Sequence, residues 1–514
     1  MNEFGIKMAH LQVLLIITFW SVAFLQVRST AAKVPPPVKP NIVFVLVDDW
    51  GFSDVGFKNP KVISPNFDDL AKTGLVLDRH YVYMYCSPSR ASLLTGRWPH
   101  HAHQWNQPQH GPIGTNINMT MLPAKLKQAG YNTHMVGKWH LGMFDPAYLP
   151  VSRGFDTSTG FLYGAEDHFT QHAGCAVDYW KDLAPDTRNG TYDAYMYRKD
   201  LSDIIKNHDT NIPFFLYLPL HNVHGPFQAP QEWIDLYPEG STCDFRRTYQ
   251  AMVSVADNIT GHVVQLLKEN NMWDNTIMVV SADNVGAECG GSNYPLKGAK
   301  GTMFEGGVRS LAFANGGALP DTMRGKTSEG FIHIADWYPT FCKMAEVDPS
   351  DSGTGKFPVD GLDVWPIISG ENATSQHEEI VIGYNFSLAR ANGPIGAIIA
   401  GEYKLVVGKQ EINQGCDSHM FSPMNYPCEN GTIGKDCDPY CLYNIIDDPG
   451  GRKDLVHINS EVLQKMIDRY NAHAKEPQDM LDQGYHSQYG LPDYQEACQY
   501  MKDHGGYWRP WINV

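Results

Sequence analysis

Ile42-Val43-Phe44-Val45-Leu46-Val47 is an unbroken apolar run, and such a run fits a strand buried on both faces. Similar runs recur at Phe214–Leu220 and Thr276–Val280, and a shorter one, from Thr133 to Val136, follows the turn at Gly130. Helical patterns lie between them, at Leu122–Gln128, Tyr195–Lys206 and Tyr249–Glu269. Strands that are apolar throughout need cover on both sides, and alternating helices supply it. The pattern predicts an α/β domain with a large, mostly parallel sheet between helices. Ligands of such sheets bind beyond the carboxyl ends of the strands, so residues just after these runs are the candidates for chemistry.

The 514 residues suffice for this domain and a smaller one. Composition shifts after about residue 350: Asp351 to Gly355 reads as a loop and Leu362 to Pro366 as a closing element. Short strand patterns follow at Gly396–Ala400 and Tyr403–Val407, then a helix near Ser460–Ala472. We place the large domain at 38–380 and a C-terminal α+β domain, with a small antiparallel sheet, at 381–514. The cluster Cys416, Cys428, Cys437 and Cys441 reads as disulfides in a loop-rich segment, because a zinc knuckle needs a closer cysteine pair.

Residues 1–32 read as a secretory signal: Lys7 and His10 precede the apolar stretch Leu11 to Leu25, and small residues follow at Ser29 to Ala32. A signal-anchor is the competing reading. The mature chain is expected to be soluble, without stable membrane insertion, in the secretory pathway and then lysosomal or extracellular. Six Asn-x-Ser/Thr sequons, at Asn118, Asn189, Asn258, Asn372, Asn385 and Asn430, agree with N-glycosylation on that route. The net charge of −16 argues against nucleic acid as a partner. An anionic substrate would need a locally positive pocket.

Asp48-Asp49 ends the first strand, and Asp283-Asn284 ends the strand Ile277–Ala282 in the same way. Adjacent carboxylates are costly unless a cation neutralises them; the bland alternative is a solvated turn. Oxygen-only ligands suit a hard cation, Ca²⁺ or Mg²⁺. Cys86 opens the run Cys86-Ser87-Pro88-Ser89-Arg90-Ala91-Ser92-Leu93-Leu94-Thr95-Gly96-Arg97. Pro88 suits the first turn of a helix and Ser87 its N-cap. Cys86 then sits where free N–H groups favour an anion. Half of a disulfide is the competing reading of this cysteine.

The run resembles the signature of the sulfatase family, Cys-x-Pro-Ser-Arg-x-x-x-Leu-Thr-Gly-Arg, whose fold is alkaline-phosphatase-like. The resemblance implies that Cys86 is converted to Cα-formylglycine (3-oxoalanine) by the formylglycine-generating enzyme during secretion. It implies one divalent ion, Ca²⁺ rather than Mg²⁺, on Asp48, Asp49, Asp283, Asn284 and the modified Cys86. Gly130 to His140 resembles the second signature of the family and selects Lys138 and His140. The turn His221-Asn222-Val223-His224-Gly225-Pro226 selects His224, with His221 as fallback. Lys300 matches the second lysine, although Lys297 is close. Arg90 would hold residue 86 and its helix. The implied activity is hydrolysis of a sulfate ester: a hydrated aldehyde attacks sulfur, Lys138, Lys300 and His224 neutralise the sulfate, His224 or Lys300 protonates the leaving alcohol, and His140 later acts as base. The wording is closest to the arylsulfatase B, or N-acetylgalactosamine-4-sulfatase, branch, so the expected substrate is a sulfated glycosaminoglycan or a small sulfated molecule.

Val285 stands where the family usually has glycine, so it could stiffen or displace the metal loop, and Cys289 follows nearby. His100, His101, His103 and His110 could bind zinc or copper, or form a solvated or pocket-lining loop. Trp105, Tyr163 and His168 could line a sugar or aryl subsite, or serve in packing. Two other functions compete: a phosphatase or phosphodiesterase of the same superfamily, and a sulfatase-like binding protein without catalysis.

Overall fold

The computed structural model describes residues 39–107, 111–186, 190–287, 290–351, 357–386, 394–410, 437–473 and 494–511. The expected signal at 1–32, His110, Cys289, Cys416, Cys428, Asn189 and Asn430 lie outside the described residues.

A ten-stranded sheet forms the centre. Its middle is five parallel strands, in the order Thr276–Ala282, Asn41–Val47, Phe214–Leu220, Asn132–Val136, Thr157–Gly160. All seven residues of Asn41–Val47 are buried. Ile42, Phe44 and Leu46 enter one apolar core, with Leu93 and Leu94, Leu122 and Leu126, and Trp337 and Phe341. Val43, Val45 and Val47 enter the other, with Leu201 and Ile205 and with Val253, Val263 and Leu267. Alternate side chains point to opposite faces, which is why the run lacks any polar position. Each fully buried aliphatic side chain contributes about 1.5–3 kcal/mol.

The helices Asp193–Lys206 and Asp244–Glu269 cover one face, and Cys86–Thr95, Leu122–Gln128 and Trp337–Met344 the other. The flank beyond Thr276–Ala282 holds Ala312–Asn315, Leu75–Leu77 and Lys326–Ser328. The first two pair antiparallel with their inner neighbours, while Lys326–Ser328 runs parallel to Leu75–Leu77.

A separate antiparallel sheet is built from Glu379–Phe386, Ile395–Ala400, Tyr403–Gly408 and Cys437–Asn444, and the helix Ser460–Ala472 packs on it. Cys437 and Cys441 are disulfide-bonded to each other. The last described helix, Tyr494–Asp503, lies away from this small sheet: Cys498 is bonded to Cys175, and Ala497 and Met501 join the core of the large sheet. Cys342 is a buried free thiol.

Candidate active site

The carboxyl ends of the central parallel strands deliver the site. Asp48-Asp49 follows Asn41–Val47, Asp283-Asn284 follows Thr276–Ala282, His221 to His224 follow Phe214–Leu220, and Lys138 to His140 follow Asn132–Val136. Gly137 makes the last of these turns possible. Its φ is +128°, and a Cβ there would lie 2.0 Å from the Pro219 carbonyl oxygen, the acceptor for the Lys138 N–H at 2.8 Å. Asp49 and His140 both have positive φ, 55° and 56°. For non-glycine residues this costs on the order of 1–3 kcal/mol each.

Cys86 is the first residue of a ten-residue helix, all of it buried. Ser87 is not the N-cap: the cap lies two residues earlier, at Tyr85, the helix begins at Cys86, and Ser87 Oγ donates to the His140 carbonyl at 2.7 Å. That bond ties the Cys86 helix to the Lys138–His140 turn. The Cys86 thiol lies 3.6 Å from Asp48 Oδ1 and 3.4 Å from Lys300 Nζ. Burial pushes this thiol up to about 12, against the pull of Lys138 and Lys300. It stays protonated at neutral pH, and a protonated thiol is a poor nucleophile.

Three cations face three carboxylates. Lys138 Nζ is 2.5 Å from Asp48 Oδ2, and Lys300 Nζ is 2.5 Å from Asp49 Oδ1. Arg90 donates through Nε and Nη2 to Asp283 Oδ2, at 2.9 and 2.7 Å, and through Nη1 to the Lys138 carbonyl at 3.0 Å. Against the cost of burial, Lys138, then His224, Arg90 and Lys300, hold Asp48 well below the usual carboxylate range. Asp283 goes the other way, to about 6, through burial and then the Asp48 charge, with Arg90 opposing. Lys297, the alternative to Lys300, points elsewhere and donates to the Tyr443 hydroxyl at 2.8 Å.

His224 Nε2 lies 3.8 Å from Asp49 Oδ2, with 22% of its side chain exposed. Its Nδ1 faces the Gly225 carbonyl at 2.6 Å, which fixes the neutral ring's proton on Nδ1 and leaves Nε2 as an acceptor. Burial is the chief cause of its pKa falling to about 4, with Asp49 opposing and Lys300 reinforcing. His140 has the opposite tautomer. Its Nε2 faces the Gln107 carbonyl at 3.1 Å, and its buried Nδ1 has no hydrogen-bond partner among the described residues. Burial, then Lys138, holds it well below the ordinary imidazole range. Gly164 gives the ring room, since a Cβ there would meet His140 Cε1 at 2.6 Å.

The residues fit a cation. Asp48, Asp49, Cys86 and His224 present ligand atoms within 4.8 Å of one another. Asn284 donates its amide to Asp49 Oδ1 at 2.6 Å and to the Val285 carbonyl at 3.0 Å, and its own Oδ1 is buried without a partner among the described residues. Val285 is fully buried and leaves Asn284 against Asp49. Asp283 is engaged mainly by Arg90, with its Oδ1 3.4 Å from the Asp49 N–H.

Several other sequence candidates are placed in packing or supporting positions. His101 pairs with Asp360 at 2.9 Å, and His103 bonds the Trp105 carbonyl and Thr115 Oγ1. Tyr163 packs edge-on against His140 at 5.6 Å. His168 is fully buried and bonded to Asp193, so it lines no subsite. Asp193 itself carries no signal in the sequence, because its two histidine partners lie 25 and 28 residues away.

Comparison with known proteins agrees with this arrangement. The family description "Sulfatase" matches residues 40–347. Mouse arylsulfatase J is 33% identical over 466 residues, covering 85% of this chain and 76% of that one. Human N-acetylgalactosamine-6-sulfatase is 31% identical over 369 residues, 66% of this chain and 67% of that one. A solved structure of Ps i-CgsB superposes with a TM-score of 0.72 at 27% identity, covering 91% of this chain and 98% of that one. The chain belongs to the sulfatase family, and it is an enzyme of that class, a sulfuric ester hydrolase.

Proposed function

We propose that this sulfatase removes sulfate from a sugar ester, using residue 86 as nucleophile at the strand ends. The observation that carries the reading is the contact of Cys86 with both Asp48 and Lys300, inside a cluster where Lys138 and Arg90 also converge. A thiol raised to about 12 cannot serve as it stands. Oxidised to formylglycine, residue 86 would supply a hydrated aldehyde whose hydroxyl is the nucleophile. Asp48, Asp49, Asp283 and Asn284 would hold a divalent ion, Ca²⁺ by its preference for oxygen, and that ion would supply positive charge beside the nucleophile.

Around these groups the chain's own residues have definite roles. Lys138 and Lys300, which now neutralise Asp48 and Asp49, would turn their ammonium protons to sulfate oxygens once those carboxylates are otherwise balanced. Arg90 keeps Asp283 and the Lys138 backbone in place. His140 is held neutral with its lone pair on the buried Nδ1, the atom that would take a proton. His224 offers an acceptor at Nε2 when neutral, so it can donate only as imidazolium. Lys300, whose pKa is raised well above the ordinary by Asp49 and then Cys86 against the cost of burial, holds a proton throughout and is the better donor to the departing alcohol near neutrality.

A sugar sulfate is favoured over an aryl sulfate because relatives named for amino-sugar sulfate, and a solved relative described in complex with k-i-k-neocarrahexaose, share this architecture. The finer reading is a 4-sulfated amino sugar, as in the arylsulfatase B branch. The same reading places the chain on the secretory route, where the formylglycine-generating enzyme acts. Asn118 and Asn372, both exposed, and half-buried Asn258 would carry N-glycans there. Among the described residues no helix is long and apolar enough to cross a membrane.

The deciding experiment assays purified protein on sulfated monosaccharides, sulfated galactan and glycosaminoglycan oligosaccharides, aryl sulfates and phosphate esters. Mass analysis of the peptide containing residue 86 accompanies it. Sulfate release from sugars with formylglycine at position 86 is expected. Turnover of phosphate esters alone, or full activity with an unmodified cysteine, overturns the reading.

A further inference from the structure

We propose that Glu166, His168, Asp193 and His221 form a second metal site, separate from the sulfate site and suited to a zinc-type divalent ion. The inference does not depend on which ester is cleaved.

Three elements build the cluster. Glu166 and His168 lie in the loop after Thr157–Gly160, Asp193 is the first residue of the helix Asp193–Lys206, and His221 directly follows the strand Phe214–Leu220. His168, Asp193 and His221 are fully buried, with ligand atoms within 4.8 Å of one another. Both imidazoles aim Nδ1 at one oxygen, Asp193 Oδ2, His168 from 2.8 Å and His221 from 2.9 Å. Their rings stack with centroids 3.9 Å apart. One carboxylate oxygen thus receives two ring nitrogens side by side, and a small cation can take the place of the two shared protons with modest movement.

Two further observations point to a cation. Glu166 is 2% exposed, and neither of its oxygens has a hydrogen-bond partner among the described residues. Glu166 stands two residues before His168 in the same loop. Leaving a buried polar group unpaired is unfavourable, and more so for a charge. The Asp178 carboxylate is satisfied by the Leu162 and Tyr163 amides. Among the described residues no lysine or arginine forms an ion pair with Glu166, Asp178 or Asp193; the groups that face Asp193 are the His168 and His221 imidazoles. Second, His168 Nε2 lies 3.2 Å from the His224 carbonyl. A metal-bound imidazole characteristically donates its other N–H to such an acceptor.

The donor set separates this site from the other. Two imidazoles and two carboxylates match zinc, whereas Asp48, Asp49, Asp283 and Asn284 offer oxygen. Through His168 and the His224 backbone, the bound ion would anchor the turn that carries His224.

The test uses the full chain, stripped of transition metal by a zinc-selective chelator with Ca²⁺ kept present, then titrated with Zn²⁺ or Co²⁺. One equivalent of zinc per chain is expected beside calcium, and Co²⁺ should give the visible absorption of a four-coordinate nitrogen–oxygen site. Glu166→Gln and His221→Gln should each lose that equivalent while keeping calcium content and far-ultraviolet circular dichroism. Should either variant fail to fold, anomalous scattering at the zinc edge from wild-type crystals grown with Zn²⁺ decides: a peak between His168, Asp193 and His221 is expected. No zinc uptake, uptake undiminished in both folded variants, or a peak confined to Asp48 and Asp49 overturns the proposal.

Discussion

Lys138 Nζ sits 2.5 Å from Asp48 Oδ2 with both side chains fully sealed from solvent. The pair keeps an ammonium next to the nucleophile position but binds it to a carboxylate, where it cannot serve a sulfate. An added divalent ion competes with Lys138 for Asp48 and with Lys300 for Asp49. Chelator-treated protein is therefore expected to lose turnover and regain it with Ca²⁺. Binding restricted to the folded state adds about 2.7 kcal/mol at a hundredfold excess over Kd. Thermal unfolding with and without Ca²⁺, read beside activity, checks this; full activity of metal-free protein would contradict it.

The nucleophile gives the second prediction. Cys86→Ala removes a small buried side chain whose side-chain partners among the described residues are Asp48 and Lys300, so folding should survive while turnover falls to background. Cys86→Ser should fail as well, since one hydroxyl cannot replace a hydrated aldehyde. Circular dichroism and sulfate release measure the two halves separately. Sustained multiple turnover by either variant would rule out residue 86 as nucleophile.

Arg90 carries the third. It is fully buried and spans Asp283, the Lys138 carbonyl and, at 3.3 Å, Asp48. Removing one partner of a buried pair leaves an uncompensated charge and costs about 3–5 kcal/mol. Arg90→Ala should lose that much in urea unfolding. Arg90→Ala combined with Asp283→Asn should recover part of it, because the stranded carboxylate is then gone. Equal stability of the single and double variants would mean the pair is not the source of the loss.

Some of this is readable from residues alone, for reasons specific to each. The first strand announces itself because burial on both faces leaves Ile42 to Val47 wholly apolar, with alternate side chains in two cores. Leu75–Leu77, Ala312–Asn315 and Lys326–Ser328 give no signal; three or four residues are too few to set a period. Lys297 and Lys300 lie in one loop three residues apart, and what separates them is Tyr443, 146 positions beyond Lys297. Ser87 resembles a cap because Pro88 follows it, yet its hydroxyl is taken by His140 from another element. Chain order groups the last helix with the small domain, whereas Cys175 holds it to the large one. Contacts of that range leave no mark on local pattern.

Acid sensitivity is the last prediction, and His80 is its clearest source. The Trp337 indole N–H donates to His80 Nε2 at 2.9 Å, and an indole nitrogen can only donate. Protonating His80 would set one N–H against another inside the core. Burial, then His333, lowers its pKa to about 3, with Asp336 opposing. Burial likewise lowers His103 and His333, each to about 4. The folded pKa is depressed, so below about pH 6.5 the unfolded chain binds protons that the folded chain refuses. This stability is complete above that pH and declines as pH falls toward the folded value. For His80 at pH 5 the loss is about 2 kcal/mol, since one pKa unit is worth about 1.4 kcal/mol. His377 runs the other way: Asp336 raises it against burial, so its contribution declines as pH rises. His80→Gln separates the terms, because its amide oxygen can accept from Trp337 and does not titrate. Urea unfolding at pH 7.5, 6 and 5 should give the variant a shallower fall than wild type between pH 6.5 and 5. An identical slope in the two proteins would mean that His80 is not what makes the fold acid-sensitive.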